Sequence, residues 1–208
     1  FNTVPELRVG LGAAGQIGKL CAQLGVRRLL VVTDPGLVDV GLVEPVRAGA
    51  AGHCEHVTVF SAVTADPSES VVLDALSVLE ADRSDGVVGL GGGSSMDVAK
   101  AIAVLATAKQ TLPDLYGVDK VAGGRLPLIL IPTTAGTGSE MTPIAVITTG
   151  ETTKAGISSP VLLPDIAVID AELTLGLPAH VTAMTGIDAM VHAIEAYTSC
   201  VKKNPLSD

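Results

Sequence analysis

The sequence lacks any cluster of basic side chains. Its 13 Lys and Arg residues are outnumbered by 22 Asp and Glu, which gives a net charge of −9, and Arg27-Arg28 is an isolated pair. A surface that neutralises nucleic-acid phosphates needs Lys and Arg grouped together. The sequence therefore argues against a nucleic-acid partner.

Long apolar runs are also missing. No run reaches the ~18 residues that a membrane-spanning helix needs, and the opening FNTVPELRVG lacks the basic-then-apolar form of a signal peptide. Trp is absent, and the hydrophobic residues, 48% of the chain, are mostly Ala, Val, Leu and Ile, which is ample material for a core. These features predict a soluble protein that does not engage a membrane.

Cysteine is rare. Cys21, Cys54 and Cys200 are odd in number and share no metal-type spacing. They are predicted to be structural thiols in a reduced, cytoplasmic setting. The run from His53 to His56, HCEH, fits no common metal spacing either, and we expect it to lie on the surface.

The most informative stretch is VVGLGGGSSMDVAK, Val87 to Lys100. Its apolar start is typical of a strand buried on both faces, and an apolar helical pattern follows its end. The three glycines between them leave backbone N–H groups open to a ligand, and Ser94 or Ser95 can cap the helix. A strand, a glycine turn and a helix N-terminus together predict an anion site, most often for a phosphate. A tight turn that binds nothing is the alternative.

An earlier glycine motif competes for the same role. Gly10, Gly12 and Gly15 satisfy G-x-G-x-x-G, and Asp34 follows nineteen residues later, near the offset of a ribose-binding acid. The run before these glycines is short and half charged, however, whereas a first dinucleotide-fold strand should be mostly apolar. Asp34 follows a strand-like run, where it could accept both ribose hydroxyls or serve as a helix N-cap.

Strand-like and helix-like patterns alternate through most of the chain. This alternation predicts an α/β fold, a Rossmann-like parallel sheet with helices on both faces. Leu126 to Ile131 is a buried strand, and it runs into PTTAGTGSE, Pro132–Glu140. Hydroxyl and N–H groups at the carboxyl end of a strand suit a nicotinamide amide, a ribose or a phosphate, although a simple Ser/Thr-rich turn has the same composition.

The final stretch changes character and reads as helical from His180. Asp188 and His192 are four residues apart, so both side chains project from one face of the helix. A carboxylate and an imidazole in this arrangement can share a divalent metal ion, and they can equally form a surface hydrogen bond. Because their neighbours are apolar, we expect the pair to be enclosed.

Together these segments resemble the iron-dependent alcohol dehydrogenase family. The resemblance rests on four ordered segments: VVTD at Val31–Asp34, GGGSSMDVAK at Gly91–Lys100, PTTAGTGSE at Pro132–Glu140, and the run Val168–Glu195. It covers nearly the whole chain. In this family the stretch that holds the early G-x-G-x-x-G precedes the nucleotide fold. The resemblance therefore disfavours that motif as the phosphate site.

The resemblance implies NAD as cofactor and a divalent metal, iron in many members and zinc in others. Asp34 would hold the adenosine ribose and favour NAD over NADP. The residues implied to contact the cofactor are Asp34, Asp66, Gly91, Gly92, Gly93, Ser94, Ser95, Thr133, Thr134, Thr137 and Lys154. Asp66 stands where family members often carry Asn. Asp188 and His192 match the first two metal ligands and thereby the catalytic positions.

The implied reaction is metal-assisted hydride transfer between an alcohol and its aldehyde or ketone. The family takes two more histidine ligands from a following helical domain, and no histidine here matches them. We therefore expect a dinucleotide-binding domain over 1–178 and the first helix of a helical metal domain over 179–208. The expected partners are a small alcohol or aldehyde and either further copies in a homo-oligomer or a second chain that supplies the helical domain. A non-catalytic nucleotide-binding or partner-docking module is the alternative.

Overall fold

The computed structural model describes residues 3–200, and its centre is a parallel β-sheet. The nine strands are β1 (Glu6–Val9), β2 (Arg28–Val32), β3 (His56–Phe60), β4 (Gly86–Gly91), β5 (Gly117–Val118), β6 (Leu128–Pro132), β7 (Ile144–Thr149), β8 (Thr153–Ser158) and β9 (Ile166–Ile169). The six α-helices are α1 (Ile17–Leu24), α2 (Pro35–Asp39), α3 (Glu44–Ala50), α4 (Glu69–Asp82), α5 (Gly93–Leu105) and α6 (Ala179–Thr198).

The main sheet has six strands in the order β1-β9-β6-β4-β2-β3. All neighbouring pairs are parallel, so the carboxyl ends of the strands share one edge. From β2 the chain moves outward to β3 and then returns to β4 on the other side of β2. Ligands of open α/β sheets bind where the strand order reverses in this way. The expected site therefore lies beyond the carboxyl ends of β2 and β4.

The central strands divide their side chains between two hydrophobic clusters. Leu30 and Val32 point to the cluster that contains buried residues of α4 and α5. Leu29 and Val31, one position out of phase, point to the cluster that contains buried residues of α1 and α3. Because successive side chains of a strand face opposite sides, one apolar run supplies both layers. The predicted fold class, a Rossmann-like parallel sheet with helices on both faces, is confirmed.

A second sheet of three strands has the order β5-β8-β7. Strands β7 and β8 form an antiparallel hairpin in which Val146 is opposite Gly156. Ala145, Ile147 and Ile157 are buried in the same cluster as the apolar face of α5. The hairpin thus covers one side of the helix that begins at the glycine turn.

Helix α6 has no buried residue along its length. Its apolar side chains Met184, Ile187, Met190 and Ile194 are each about three-fifths exposed, from 59% to 65%. It approaches the rest of the protein closely at Gly136, next to the backbone of Thr185. Of the helices within residues 3–200, none is both long enough and apolar enough to cross a membrane.

The three cysteines differ in how far their thiols are buried. Cys21 and Cys54 are buried, and burial raises the pKa of both thiols. They are therefore unreactive structural groups, as predicted. Cys200 is exposed in the described part of the chain, so its role as a structural thiol stays a prediction. His53, Glu55 and His56 lie on the surface, as expected.

Candidate cofactor site and metal helix

The glycine turn leads directly from β4 into α5. Gly91 has φ of +148°, a conformation that side chains rarely adopt, and a Cβ there would lie 2.7 Å from Ser95 Oγ. The helix N-cap is Gly92, and no side chain caps this end. The prediction that Ser94 or Ser95 caps the helix is wrong, because the extended Gly92 starts the helix before the serines. Without a side-chain cap, the amides of the first turn remain available for an anion.

The threonine-rich loop lies directly over this turn. Thr133 N–H donates to the carbonyl of Gly91 at 3.0 Å, which continues the β4–β6 pairing. A Cβ on Gly93 would lie 3.3 Å from the Thr137 side chain, so the loop and the turn approach each other closely here. Thr134 Oγ1 is buried and has no hydrogen-bond partner among the described residues. A buried hydroxyl without a partner next to a narrow cleft fits a bound polar ligand.

Asp34 follows β2, next to the glycine turn across the sheet. Its Oδ1 accepts the Leu37 N–H at 3.1 Å, so Asp34 is the N-cap of α2. Its Oδ2 accepts no hydrogen bond from the residues that the structure describes. The capping interpretation is therefore correct. It leaves one carboxylate oxygen open at the edge where a ribose diol is expected.

A pocket of about 600 Å³ opens beside the first turn of α5. It brings together seven of the predicted site residues: Asp66, Gly93, Ser94, Thr137, Lys154, Asp188 and His192. The other predicted residues do not line it: Asp34, Gly91, Gly92, Ser95, Thr133 and Thr134. Ser95 and Thr133 are buried behind the turn, at 2% exposure each.

Asp66 and Lys154 form an ion pair at the rim of this pocket. Lys154 Nζ lies 2.5 Å from Asp66 Oδ1, although the two residues are 88 positions apart. Both side chains are more than half exposed. Surface pairs of this kind contribute little to stability. The pair nevertheless places a cation among the residues that line the pocket.

A buried charged pair lies next to the pocket, which Asp97 lines and Lys100 does not. The sequence patterns did not single out either residue as functional. Lys100 is fully buried, and its Nζ donates to the Ile144 carbonyl at 2.6 Å and to Ser139 Oγ at 3.0 Å. Asp97 lies 3.7 Å from it. Burial lowers the pKa of Lys100 to about 8 and raises that of Asp97. In the sequence, Lys100 follows apolar residues of the helix and could equally lie at the exposed edge of its apolar face. Only the tertiary structure shows that this lysine is buried.

Two amides of the first glycine motif are already occupied by a carboxylate of the protein. The preceding strand β1 lies at the edge of the sheet and not at its centre. The amides of Gly12 and Ala14 donate to the two oxygens of Asp170 at 3.2 and 3.0 Å. Asp170 is 3% exposed. The turn therefore binds an anion, and that anion is a carboxylate of the protein itself.

Asp188 and His192 lie on α6 beside the pocket. His192 Nδ1 is 4.0 Å from Asp188 Oδ2, and the two side chains are 51% and 43% exposed. The prediction that the pair is enclosed is wrong for the described residues, because both side chains stay about half exposed at the pocket. An oxygen donor and a nitrogen donor one turn apart fit a divalent ion. Among residues 3–200, however, no group of three or more potential metal ligands comes together.

The fold and the pocket define the class of protein. A parallel sheet carries a glycine turn and an uncapped helix at its reversal point, and a helix with a carboxylate–imidazole pair lies beside it. This is a Rossmann-like α/β protein with a pocket beside the sheet's carboxyl edge, where folds of this class bind ligands. The chain belongs to the iron-containing alcohol dehydrogenase family, whose family model matches residues 5–171.

Individual relatives agree with this assignment. Long-chain-alcohol dehydrogenase 1 of Geobacillus thermodenitrificans is 42% identical over 207 residues, covering 98% of this chain and 52% of that protein. Choline dehydrogenase of Bacillus subtilis is 42% identical over 202 residues, covering 95% of this chain and 50% of that protein. The chain thus spans about half the length of the relatives it matches.

Solved structures match the fold over the same extent. The structure of 1,3-propanediol oxidoreductase superposes with a TM-score of 0.95 and 34% identity, covering all of this chain and 55% of that one. Sulfoacetaldehyde reductase from Bifidobacterium kashiwanohense, solved in complex with NAD+, gives a TM-score of 0.88 and 34% identity, covering 96% of this chain and 53% of that one.

Proposed function

We propose that this chain is the cofactor-binding part of an NAD-dependent, metal-assisted oxidoreductase that interconverts an alcohol and its aldehyde or ketone. One observation carries the proposal. A single pocket is lined by the start of α5, at Gly93 and Ser94, and by the donor pair Asp188 and His192. A dinucleotide held by the glycine turn would therefore extend toward the pair that would hold a metal ion.

The positions of the site residues suggest which part of the dinucleotide each of them would contact. The turn Gly91–Ser95 would receive the pyrophosphate on its free amides. Asp34 would accept the adenosine ribose hydroxyls through Oδ2 and would repel a 2′-phosphate, which favours NAD over NADP. Thr133, Thr134 and Thr137 belong to the loop over the turn, and its hydroxyls would orient the nicotinamide end. The Lys154 cation, beside Asp66, would reach a ribose or a phosphate.

Asp188 and His192 would hold a divalent ion, iron or zinc, together with ligands from outside residues 3–200. With both cofactors bound, the metal would supply a Lewis acid for the alcohol oxygen, and NAD would supply the hydride acceptor. The role of this chain is to hold the two donors on one rigid helix next to the cleft. The nearby threonine loop limits where the nicotinamide end can lie, and restricting this geometry is a large part of catalysis.

The division into a dinucleotide-binding domain at 1–178 and the start of a helical domain at 179–208 stays a prediction, and residues 201–208 lie outside the described part. The exposed apolar side of α6 is consistent with a covering domain. We propose that this cover comes from a helical domain with the remaining metal ligands, in the same or a second chain, and that the enzyme is a homo-oligomer. A cytoplasmic location is likewise a prediction.

The exposed side of α6 also favours one alternative, a non-catalytic nucleotide-binding or docking module. Met184, Ile187, Met190 and Ile194 form a continuous apolar surface of the kind that binds another protein. Such a module would bind NAD without turning over an alcohol.

Two measurements on the same sample distinguish the candidates. Calorimetry with NAD and with NADP tests the cofactor site, and absorbance of NADH during incubation with simple alcohols tests turnover. The chain alone is expected to be inactive, whereas a sample that also contains the helical domain should produce NADH only with an added divalent metal and not with a chelator. Binding of NAD without metal-dependent turnover, in a sample that contains the helical domain, would favour the docking module.

A further inference from the structure

Strand β7 presents two apolar side chains to the pocket that also contains the candidate metal ligands. Ile144 and Val146 line this pocket together with Asp188 and His192. Their side chains are accessible, because the two residues are 44% and 38% exposed. Ligand pockets commonly combine an apolar wall with a few polar groups that fix the orientation of the ligand. The two side chains therefore offer a surface on which a carbon chain can pack.

The alternation of side chains along β7 produces this surface. Ala145 and Ile147 are buried in the cluster that contains the apolar face of α5, so Val146 between them points the other way. Val146 lies opposite Gly156 in the hairpin, and a Cβ on that glycine would meet nothing within 4 Å. Because directly opposite residues of an antiparallel pair share a face, the glycine leaves the space beside Val146 open.

The backbone of this apolar wall is fixed from behind by α5. The Ile144 carbonyl accepts a hydrogen bond from Lys100 Nζ at 2.6 Å. The Val146 N–H donates to Asp97 Oδ2 at 2.9 Å. A wall on a fixed backbone can discriminate between ligands, since it does not adapt to each of them.

The charged groups of the pocket favour an uncharged ligand. Among the described residues that line it, Lys154 is the only Lys or Arg, and it is ion-paired with Asp66. The Asp97 carboxylate already accepts the Ser139 hydroxyl at 2.5 Å. No Phe, Tyr or Trp is among these lining residues, so they offer a cation no aromatic face. A charge on the substrate would lose hydration here without gaining a free partner.

We propose that Ile144 and Val146 are specificity-determining residues that pack against the carbon chain of the substrate, and that the substrate class is uncharged alcohols with an apolar chain of several carbons. This inference rests on the proposed oxidoreductase function and names the substrate class of its site. The competing explanation is that both side chains only pack against the covering helical domain. Replacing them would then affect short and long alcohols alike.

The test uses protein that contains the helical domain, with NAD and a divalent metal, and measures kcat/KM for ethanol, butan-1-ol and hexan-1-ol. The double variant Ile144→Thr with Val146→Thr keeps the β-branched shape and introduces hydroxyl groups. Val118→Thr is the matched control, because Val118 is 70% exposed in β5 and does not line the pocket. We expect kcat/KM to rise roughly two- to fourfold per added methylene in the unsubstituted protein and in the control. This rise should be largely lost in the double variant.

Two probes with the same chain length test the preference for an uncharged substrate. 6-Hydroxyhexanoate carries an anion at the far end, and 6-aminohexan-1-ol carries a cation. We expect both to have a lower kcat/KM than hexan-1-ol. A charged probe that is preferred over hexan-1-ol overturns the proposal. Equal losses for ethanol and hexan-1-ol in the double variant, or an unchanged dependence on chain length, overturn it as well.

Failure of the proposed function would be visible separately, as the absence of NADH production from every alcohol. Methyl NMR of the same protein then decides the inference by binding alone, with hexan-1-ol as the probe. Shifts of the Ile144 and Val146 methyl signals that exceed those of Val118 support the apolar wall. Unchanged Ile144 and Val146 signals overturn it.

Discussion

The imidazole of His192 and the carbonyl of Gly136 face each other at 3.4 Å across 56 residues of sequence. When Nδ1 carries the ring proton it donates to this carbonyl, and Nε2 keeps its lone pair. A histidine held in this way is prepared to bind a metal through Nε2. Because Gly136 belongs to the threonine loop, one contact links the predicted metal helix to the predicted cofactor site.

Gly136→Ala should disturb this link. The new Cβ would lie 2.2 Å from the Thr185 carbonyl oxygen, so α6 or the loop has to move. We expect the free energy of unfolding in urea to fall by about 1–3 kcal/mol. Gly124→Ala is the control, because a Cβ there meets nothing within 4 Å. Equal stability of the two variants would contradict the close approach of α6.

Asp34 can be tested without destroying its helix cap. Asp34→Ser keeps an N-cap oxygen for the Leu37 N–H and removes the charge, whereas Asp34→Gly removes both. We expect both variants to bind NAD more weakly and to discriminate less against NADP, since the diol acceptor and the repulsion of the 2′-phosphate are lost. Calorimetry with both cofactors is the measurement. An unchanged NAD-to-NADP preference in Asp34→Ser would refute the role of the carboxylate.

The assignment of Asp188 and His192 as metal ligands can be tested by measuring metal content. Asp188→Asn and His192→Gln should each abolish stoichiometric divalent metal in a protein that contains the remaining ligands, because each removes one donor of the shared ion. Elemental analysis after dialysis measures it. His180→Gln, at the exposed start of the same helix, is the matched control. Full metal content in both site variants would eliminate the assignment.

Lys100 gives stability a characteristic pH dependence. Its pKa is about 8 when folded, against an ordinary value of 10.5. Between these values the unfolded chain binds the proton and the folded chain does not, so the free energy of unfolding rises with pH. The rise is at most about 3.5 kcal/mol across this window, since each pH unit contributes about 1.4 kcal/mol.

Urea unfolding of the unsubstituted chain and of Lys100→Met, compared across pH 8 to 10.5, isolates this contribution. Other titrating groups are common to both proteins, so the difference between the curves reports Lys100. We expect the variant to lack the rise. Parallel curves would show that the lysine keeps its proton in the folded state over this range.

Asp170→Asn should separate stability from cofactor binding. The substitution removes the charge that accepts the amides of Gly12 and Ala14, and hydrogen bonds to a buried charge contribute about 1.5–3 kcal/mol. We expect thermal stability to fall while NAD affinity in the folded protein stays unchanged. A large loss of NAD affinity with unchanged stability would return the first glycine motif to the list of nucleotide sites.

The fold was predictable because its signals are local. Apolar runs such as Leu126–Ile131 and the glycine turn at Gly91–Gly93 specify strands and a strand-to-helix connection within a few residues. Their alternation then restricts the topology to a parallel sheet. The position of Asp34 after β2 follows from the same local pattern. These features need no knowledge of distant contacts.

The sequence-based predictions that were wrong or incomplete concern residues whose environment depends on contacts with distant parts of the chain. The environment of Asp188 depends on what covers α6, which the neighbouring apolar residues do not specify. The partner of Lys100 is a carbonyl 44 residues away, and the anion of the first glycine turn is Asp170. Periodicity cannot identify such pairs, because they depend on how the elements come together in three dimensions.

The placement of β1 has a consequence for biosynthesis. Among the described strands it pairs only with β9, and its residue Glu6 is opposite Ile166. While the ribosome makes the intervening chain, this first strand has no partner, although β2, β3 and β4 can already assemble. Strand β1 can join the sheet only when β9 has emerged and Asp170 can reach the amide of Gly12, 158 residues behind it. Late closure of this kind makes completion of the fold slow and leaves a strand edge open to wrong pairing during synthesis.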